Sequence, residues 1–217
     1  MFSTAFLSAV LILGPSQASA VAPAGLQEKP VTGIKVGQAI PGPFFPYNLT
    51  GNRETSYACP VTAFEDNPAV LVFVSMGEEG SDTVKKLLTE LDAALPRYKR
   101  DNLRAFVTIV EPKIEGAIYQ KDDERNAAAE KLRAWISSLM LKSLNFGLDS
   151  TLGLKEWAIP TEKGVTVVLY QNYKVVDLQS FAAADLSDEK VAAIMGQLVA
   201  KKMVQARRIN PLPLPRP

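Results

Sequence analysis

Residues 69–75 read AVLVFVS, directly after Pro68, and this stretch decides the fold. It carries β-branched, aromatic and small apolar residues without the polar alternation of a half-buried strand. A strand that is apolar on both faces is typical of the middle of a sheet covered on both sides. The stretch therefore predicts the central strand of an α/β domain.

The residues that follow this strand predict a helix and then a second strand. Gly77 and Gly80 interrupt the apolar pattern, Ser81 is suited to cap a helix, and Pro96 ends it. One face of that helix holds the apolar positions Val84, Leu87, Leu88, Leu91 and Leu95. Residues 103–110 (LRAFVTIV) predict the second strand, which Pro112 stops. Two parallel strands joined by one helix form a right-handed unit.

The second half of the chain predicts a helix, a hairpin and a last helix. Residues 122–141 predict the first helix, whose buried stripe consists of Ala128, Leu132, Trp135, Ile136 and Leu139. Residues 165–170 and 174–178 predict two strands separated by three residues, with Asn172 suited to a positive φ. Ser187 is suited to cap the last helix, whose apolar face holds Val191, Ile194, Met195 and Leu198.

The composition excludes several kinds of chemistry. The chain has 217 residues, 24 Lys or Arg against 23 Asp or Glu, one Cys and no His. Without His there is no Ser-His-Asp triad, Cys-His dyad or His-ligated zinc or haem. One Cys excludes an intramolecular disulfide and a CxxC pair. Balanced charge gives no basic surface for nucleic acid. We therefore predict no nucleic-acid partner, no cofactor and no metal site.

The two ends of the chain differ from its middle in composition. Residues 2–19 carry no charge, and the small residues Ala18 and Ala20 suit a signal peptidase, so we expect a signal peptide over residues 1–20 and cleavage after Ala20. An uncleaved anchor or a buried apolar arm is the alternative. Residues 21–35 predict a linker, and residues 206–217 a proline-rich tail. The expected location is secreted or periplasmic, with no stable membrane span after cleavage.

Three stretches, together with the element order β, α, β, α, β, β, α, resemble a known family. Residues 36–44 (VGQAIPGPF) and 48–51 (NLTG) resemble the opening of the peroxiredoxin-like or redoxin-like branch of the thioredoxin-like superfamily. Residues 145–150 (NFGLDS) resemble its penultimate element, in which an apolar stretch ends in Asp. The resemblance implies an α/β, thioredoxin-like domain over residues 36–205. Its central mixed sheet would contain a βαβ unit, then a β-hairpin and a C-terminal helix, with helices on both faces.

The departures from this family concern its reactive site. The family's reactive cysteines follow the central strand, where this chain reads Ser75, Met76, Gly77, Glu78, Glu79, Gly80, Ser81. No cysteine is there, and the two carboxylates would raise the pKa of a thiol. The family also carries a cis-proline before the third strand, and Ile159-Pro160-Thr161 resembles it. Because three residues separate Thr161 from Val165, Pro160 is either that cis-proline or an ordinary trans loop proline.

The resemblance also implies where a partner would bind, since the family engages extended peptide beside its reactive site. We expect a groove for a protein or an extended peptide there, formed by Met76, Gly77, Glu78, Ser81, Ile159, Pro160 and Thr161. On this hypothesis the domain has lost dithiol chemistry and is a binding or structural module in the cell envelope. A third hypothesis is a cell-envelope structural protein whose proline tail contacts a partner.

The alternative is an enzyme that uses Cys59, the candidate catalytic residue. Cys59 lies between Ala58 and Pro60, before the central strand. It is either a buried small hydrophobe or an exposed thiol that serves a thiol-dependent oxidoreductase or peroxidase, resolved by an external thiol. For the enzyme hypothesis to hold, Cys59 must reach the helix N-terminus at residues 80–83.

Overall fold

The computed structural model describes residues 33–196. The expected signal peptide, the tail and Leu198 lie outside these residues, as does the linker except for residues 33–35. Within the described range, no helix is both long enough and apolar enough to cross a membrane.

Residues 33–196 form one six-stranded mixed sheet in the strand order β1-β4-β3-β2-β5-β6. The strands are β1 Tyr47–Asn48, β2 Ala69–Ser75, β3 Arg104–Glu111, β4 Asn145–Ser150, β5 Val165–Gln171 and β6 Lys174–Phe181. The α-helices are α1 Pro60–Phe64, α2 Asp82–Ala94, α3 Asp122–Ser138 and α4 Asp188–Ala193. Short 3₁₀ turns lie at Lys99–Asp101, Ile118–Gln120, Lys155–Trp157, Thr161–Lys163 and Ala183–Asp185.

The β2 strand lies inside the sheet, as its sequence predicts. It pairs in parallel with β3 and antiparallel with β5, and every residue from Ala69 to Val74 is buried. The β3 strand in turn pairs in parallel with β4. The βαβ unit, the hairpin and the final helix are confirmed.

Two hydrophobic clusters cover the two faces of the sheet. The first contains Val84 of α2, Leu132 of α3 and Val191 of α4. The second contains Val61 of α1 and Trp157. Alternate residues of β2 enter the two clusters, since Val70, Val72 and Val74 belong to the first and Leu71 and Phe73 to the second. Helices on both faces are thus confirmed.

The hairpin is tighter than expected. Asn172 and Tyr173 have φ values of 51° and 59° and connect β5 to β6 as a two-residue loop. Two central residues with positive φ are typical of a type I′ turn, which matches the right-handed strand twist. The positive φ of Asn172 is confirmed, whereas Gln171 belongs to β5 and not to the loop.

The helix boundaries differ slightly from the predicted ones. The α3 helix ends at Ser138 and not at residue 141, because Met140 takes a positive φ of 53°. In α4 the Ser187 hydroxyl accepts a hydrogen bond from Lys190 N at 3.3 Å, which confirms the predicted cap. At α2 Ser81 occupies the N-cap position, but its side chain makes no capping hydrogen bond.

Sequence patterns missed β1, α1 and β4 as regular elements. The β4 strand was not predicted because Gly147 and polar residues interrupt its apolar run. A Cβ at Gly147 would lie 2.9 Å from both Phe106 Cζ and Pro46 Cβ, so the close packing of β4 requires glycine.

Candidate functional site

Residues 76–81, called the 76–81 turn below, follow β2 at the carboxyl edge of the parallel strands. The Met76 amide donates to Val110 O at 2.8 Å, and the Glu78 amide donates to Ser75 O at 3.0 Å. Gly77 has a φ of 102°, a conformation that disfavours side chains. These bonds fix the turn, while Gly77 and Glu78 remain exposed.

Glu79 points inward, which its sequence did not predict. Its residue exposure is 6%, its carboxylate accepts from the Gly77 amide, and its Oε1 lies 3.8 Å from Lys131 Nζ. Glu79 therefore stabilises the turn from within. Among residues 33–196, no group of three or more Cys, Asp or Glu side chains is placed to hold a metal ion.

Residues 159–161, called the 159–161 segment below, lie against the same edge. The Ser75 hydroxyl donates to Thr161 O at 2.7 Å, and the Ser75 amide donates to Gly164 O at 2.8 Å. The structure thus brings the two predicted parts of the groove together. All three residues of the segment are half-buried, and the hydrogen bonds of the described residues include none to the N–H or C=O of Ile159.

Pro160 is a trans loop proline, which decides between the two alternatives. Residues 33–196 contain no cis peptide bond, and Pro160 has φ −74° and ψ 96°. The residues between Pro160 and β5 form the 3₁₀ turn Thr161–Lys163 and then Gly164, whose φ is 72°. Pro160 is therefore separated from β5 by one short turn and a glycine.

Cys59 lies away from the 76–81 turn. It is 5% exposed, precedes the five-residue α1, and its Sγ accepts from the Thr62 amide at 3.4 Å. It belongs to the second hydrophobic cluster together with Tyr170, which pairs with Ala69 at the start of β2. Burial raises the pKa of the Tyr170 hydroxyl, and the neighbouring Cys59 raises it further.

This location fails the geometric condition of the enzyme hypothesis. The 76–81 turn follows the last residue of β2, whereas Cys59 and Tyr170 lie near its first. A strand of this length spans about 20 Å, which is beyond the reach of one side chain. Cys59 therefore does not meet the N-terminus of α2 at residues 80–83.

A cavity of about 230 Å³ lies beside Cys59 at the amino edge of the parallel strands. Phe64, Phe106 and Asn145 line it together with Cys59. No sequence pattern indicates this cavity, because its walls come from four separate segments.

Asp149 is a buried carboxyl that the sequence reasoning did not select as a site residue. It pairs with Val110, which pairs with Ser75, so the three residues form one row across the sheet. Its exposure is 1%, and burial raises its pKa to about 7, opposed by the hydrogen bond from the Ser150 amide. Oδ2 of Asp149 has no hydrogen-bond partner among the described residues. The sequence feature that could have indicated this buried carboxyl is an Asp at the end of an otherwise apolar stretch.

Comparisons with known proteins identify the fold. No family model matches the sequence, and neither does any curated protein. The structure is similar to yeast mitochondrial 1-Cys peroxiredoxin, with TM-score 0.50 and 8% identity over 81% of this chain and 78% of that chain. It is similar to an uncharacterized conserved protein from Geobacillus kaustophilus, with TM-score 0.50 and 11% identity over 69% and 70%. A third similar structure is Plasmodium vivax 2-Cys peroxiredoxin, with TM-score 0.49 and 16% identity over 80% and 83%. The fold is thioredoxin-like, and identities this low show the fold and nothing more.

Proposed function

We propose that this chain is an exported thioredoxin-like domain without a redox dithiol, and that it binds extended polypeptide in the cell envelope. The observation that carries the proposal is the Ser75 to Thr161 hydrogen bond, which joins the 76–81 turn to the 159–161 segment. Together these residues form the candidate groove. Cysteine is absent from both parts, so the groove offers contacts for binding and no thiol for exchange.

The backbone of the groove supports an extended ligand. The N–H and C=O of Ile159 have no intramolecular partner among the described hydrogen bonds, and the residue is half-buried. A peptide in extended conformation pairs with such groups as an added strand does, so main-chain hydrogen bonds supply affinity for many sequences.

Charge at the groove favours a basic peptide. Glu78 and Glu162 are exposed, and Glu78 Cγ lies 3.5 Å from the position that a Cβ on Gly164 would occupy. Both carboxylates therefore flank the connection between the 159–161 segment and β5. A ligand with Lys or Arg gains attraction from them, and this attraction weakens with added salt.

Binding of short labelled peptides, measured by fluorescence anisotropy, tests this function. Lys-containing peptides should bind more tightly than Glu-containing ones, and Glu78→Lys should weaken the Lys peptides about tenfold, which corresponds to about 1.4 kcal/mol. Glu90→Lys, an equal charge change at an exposed α2 position, should leave affinity unchanged. Equal losses in both variants, or no binding by the wild type, would refute the groove.

Export rests on the sequence of residues 1–20. Expression with the native N-terminus should yield a secreted or periplasmic protein whose mass corresponds to a start at Val21. A protein that keeps residues 1–20 would contradict cleavage.

A thiol-dependent oxidoreductase or peroxidase that uses Cys59 is the second candidate function. One observation favours it: the Thr62 amide donates to Sγ beside a cavity that Cys59 lines. Burial of the thiol and its distance from α2 oppose it. Peroxide or disulfide turnover that disappears in Cys59→Ser would establish this function in place of the first.

A further inference from the structure

The segment that connects Asp149 to the candidate groove is attached to the sheet at both of its ends, by residues that are register partners on neighbouring strands. Residues 150–161, called the 150–161 loop below, begin directly after Asp149, and Thr161 accepts the hydrogen bond of Ser75. Ser75, Val110 and Asp149 are register partners across three parallel strands. Their side chains therefore point to the same face, which is the face of the second hydrophobic cluster.

The loop packs closely on the Asp149 carboxyl. The Ser150 amide donates to Oδ1 at 2.8 Å, and a Cβ at Gly153 would lie 2.7 Å from Asp149 Cγ, so Gly153 covers the carboxyl directly. Farther along, Leu154 and Trp157 are buried in the second cluster, and Trp157 Nε1 donates to Gly42 O at 3.2 Å. The closed loop thus keeps water from Asp149.

Among residues 33–196, no charged group compensates an ionised Asp149. The charged residues on the neighbouring segments are Glu111 at the end of β3, Lys113 and Glu115 after it, and Lys155 and Glu156 in the loop. None of these acts on the pKa of Asp149, which responds only to burial and to the Ser150 amide. Because Oδ2 has no hydrogen-bond partner in the described part of the chain, the neutral acid suits the closed site and the carboxylate does not.

We propose that Asp149 positions the 150–161 loop in a proton-dependent manner, so that the loop is closed over the neutral acid and opens when the carboxyl ionises. When the loop opens, Gly153 no longer covers the Asp149 carboxylate, which water can then reach. The chain that leads to Ile159 becomes less constrained. Asp149 is a positioning residue, since it lies beneath the loop and not in the groove. If the proposed function is correct, peptide affinity falls as the loop opens.

Hydrogen exchange at the loop amides tests this inference without any ligand. The reporters are the amides of Leu154, Lys155, Trp157 and Ala158, which all donate hydrogen bonds within the loop. After correction for intrinsic exchange, their protection should fall about tenfold per pH unit between pH 5.5 and 7 and then level off. The β2 amides serve as the reference: they exchange on global unfolding and should be more strongly protected than the loop amides over the whole pH range.

The variant Asp149→Asn should make loop protection independent of pH, whereas Asp123→Asn, at an exposed position of α3, should leave the wild-type profile unchanged. The same slope in Asp149→Asn, a flat wild-type profile, or protection of the loop amides equal to that of the β2 amides would overturn the proposal. The wild-type comparison decides the matter even where Asp149→Asn does not fold.

Peptide affinity measured over the same pH range separates this inference from the proposed function. If the loop opens with pH and affinity stays constant, the groove is misplaced and the loop inference stands. If affinity falls between pH 5.5 and 7 while loop protection stays flat, the loop inference is wrong and the groove stands.

Discussion

Ser75 Oγ donates a 2.7 Å hydrogen bond to Thr161 O, and this bond joins positions that lie 86 residues apart in the chain. It connects the end of the central strand to the segment that precedes β5. The bond holds the 159–161 segment against the 76–81 turn, and neither part contains cysteine.

Removing this bond should loosen the groove. We predict that Ser75→Ala lowers the free energy of unfolding by about 1 kcal/mol, the usual contribution of one hydrogen bond, and weakens peptide affinity. Urea denaturation and anisotropy measure the two effects. Thr89→Ala, which removes a hydroxyl bond to Lys85 O on the exposed side of α2, should not change affinity. Equal peptide affinity in Ser75→Ala and the wild type would show that this hydrogen bond does not contribute to binding.

The Cys59 thiol should react slowly with labelling reagents in the native protein. Because only 5% of the residue is exposed, native labelling should be on the order of a hundredfold slower than labelling in denaturant. Ser81→Cys in a Cys59→Ser background provides the contrast, since position 81 is half-exposed and a thiol there should label faster than the buried Cys59. Rapid labelling of wild-type Cys59 would contradict its burial.

The stability of the fold should decrease as pH rises through the range in which Asp149 ionises. Burial raises the pKa of Asp149 from 3.8 to about 7, so the folded state binds a proton that the unfolded state has already released. Stability is therefore lost between about pH 4 and 7, by as much as about 4 kcal/mol.

The difference between the wild type and Asp149→Asn in urea denaturation isolates this effect, because other titrating groups cancel. The variant should gain stability relative to the wild type as pH rises to 7. A difference that is constant with pH would show that Asp149 has an ordinary pKa.

Gly147 should not tolerate a side chain. We predict that Gly147→Ala lowers the free energy of unfolding by about 1–3 kcal/mol, since its Cβ would crowd Phe106 and Pro46. Thermal denaturation measures this loss. Gly80→Ala is the control, because a Cβ there meets no atom within 4 Å. A neutral Gly147→Ala would contradict the packing of β4 against Phe106.

The elements with regular patterns were predictable, and the reasons for the misses are physical. The apolar run 69–75 and the helical stripe of α2 specify the central strand and its helix because burial dictates both patterns. The β4 strand has no such pattern, since its neighbours require Gly147 at one position and Asp149 sits at another. The 76–81 turn and the 159–161 segment were found through family resemblance, and a single chain carries no local signal that Ser75 bonds Thr161.

Sequence patterns also did not predict that Glu79 and Asp149 are buried, because their burial depends on contacts with residues of other segments. Glu79 looks like any acid near a helix start, and only the fold turns it toward Gly77. Asp149 is covered by Gly153, and no spacing rule describes the loop that brings this glycine onto it. Likewise, the distance between Cys59 and α2 follows from the direction of β2 and not from any motif.

Mapping of peptide binding by amide NMR shifts tests the central claim most directly. With a Lys-containing peptide, shifts should concentrate at residues 76–81 and 159–161, and the affinity of Cys59→Ser should equal that of the wild type. Shifts centred on Cys59 and its cavity, or binding and turnover that both vanish in Cys59→Ser, would contradict a binding domain that has lost its dithiol.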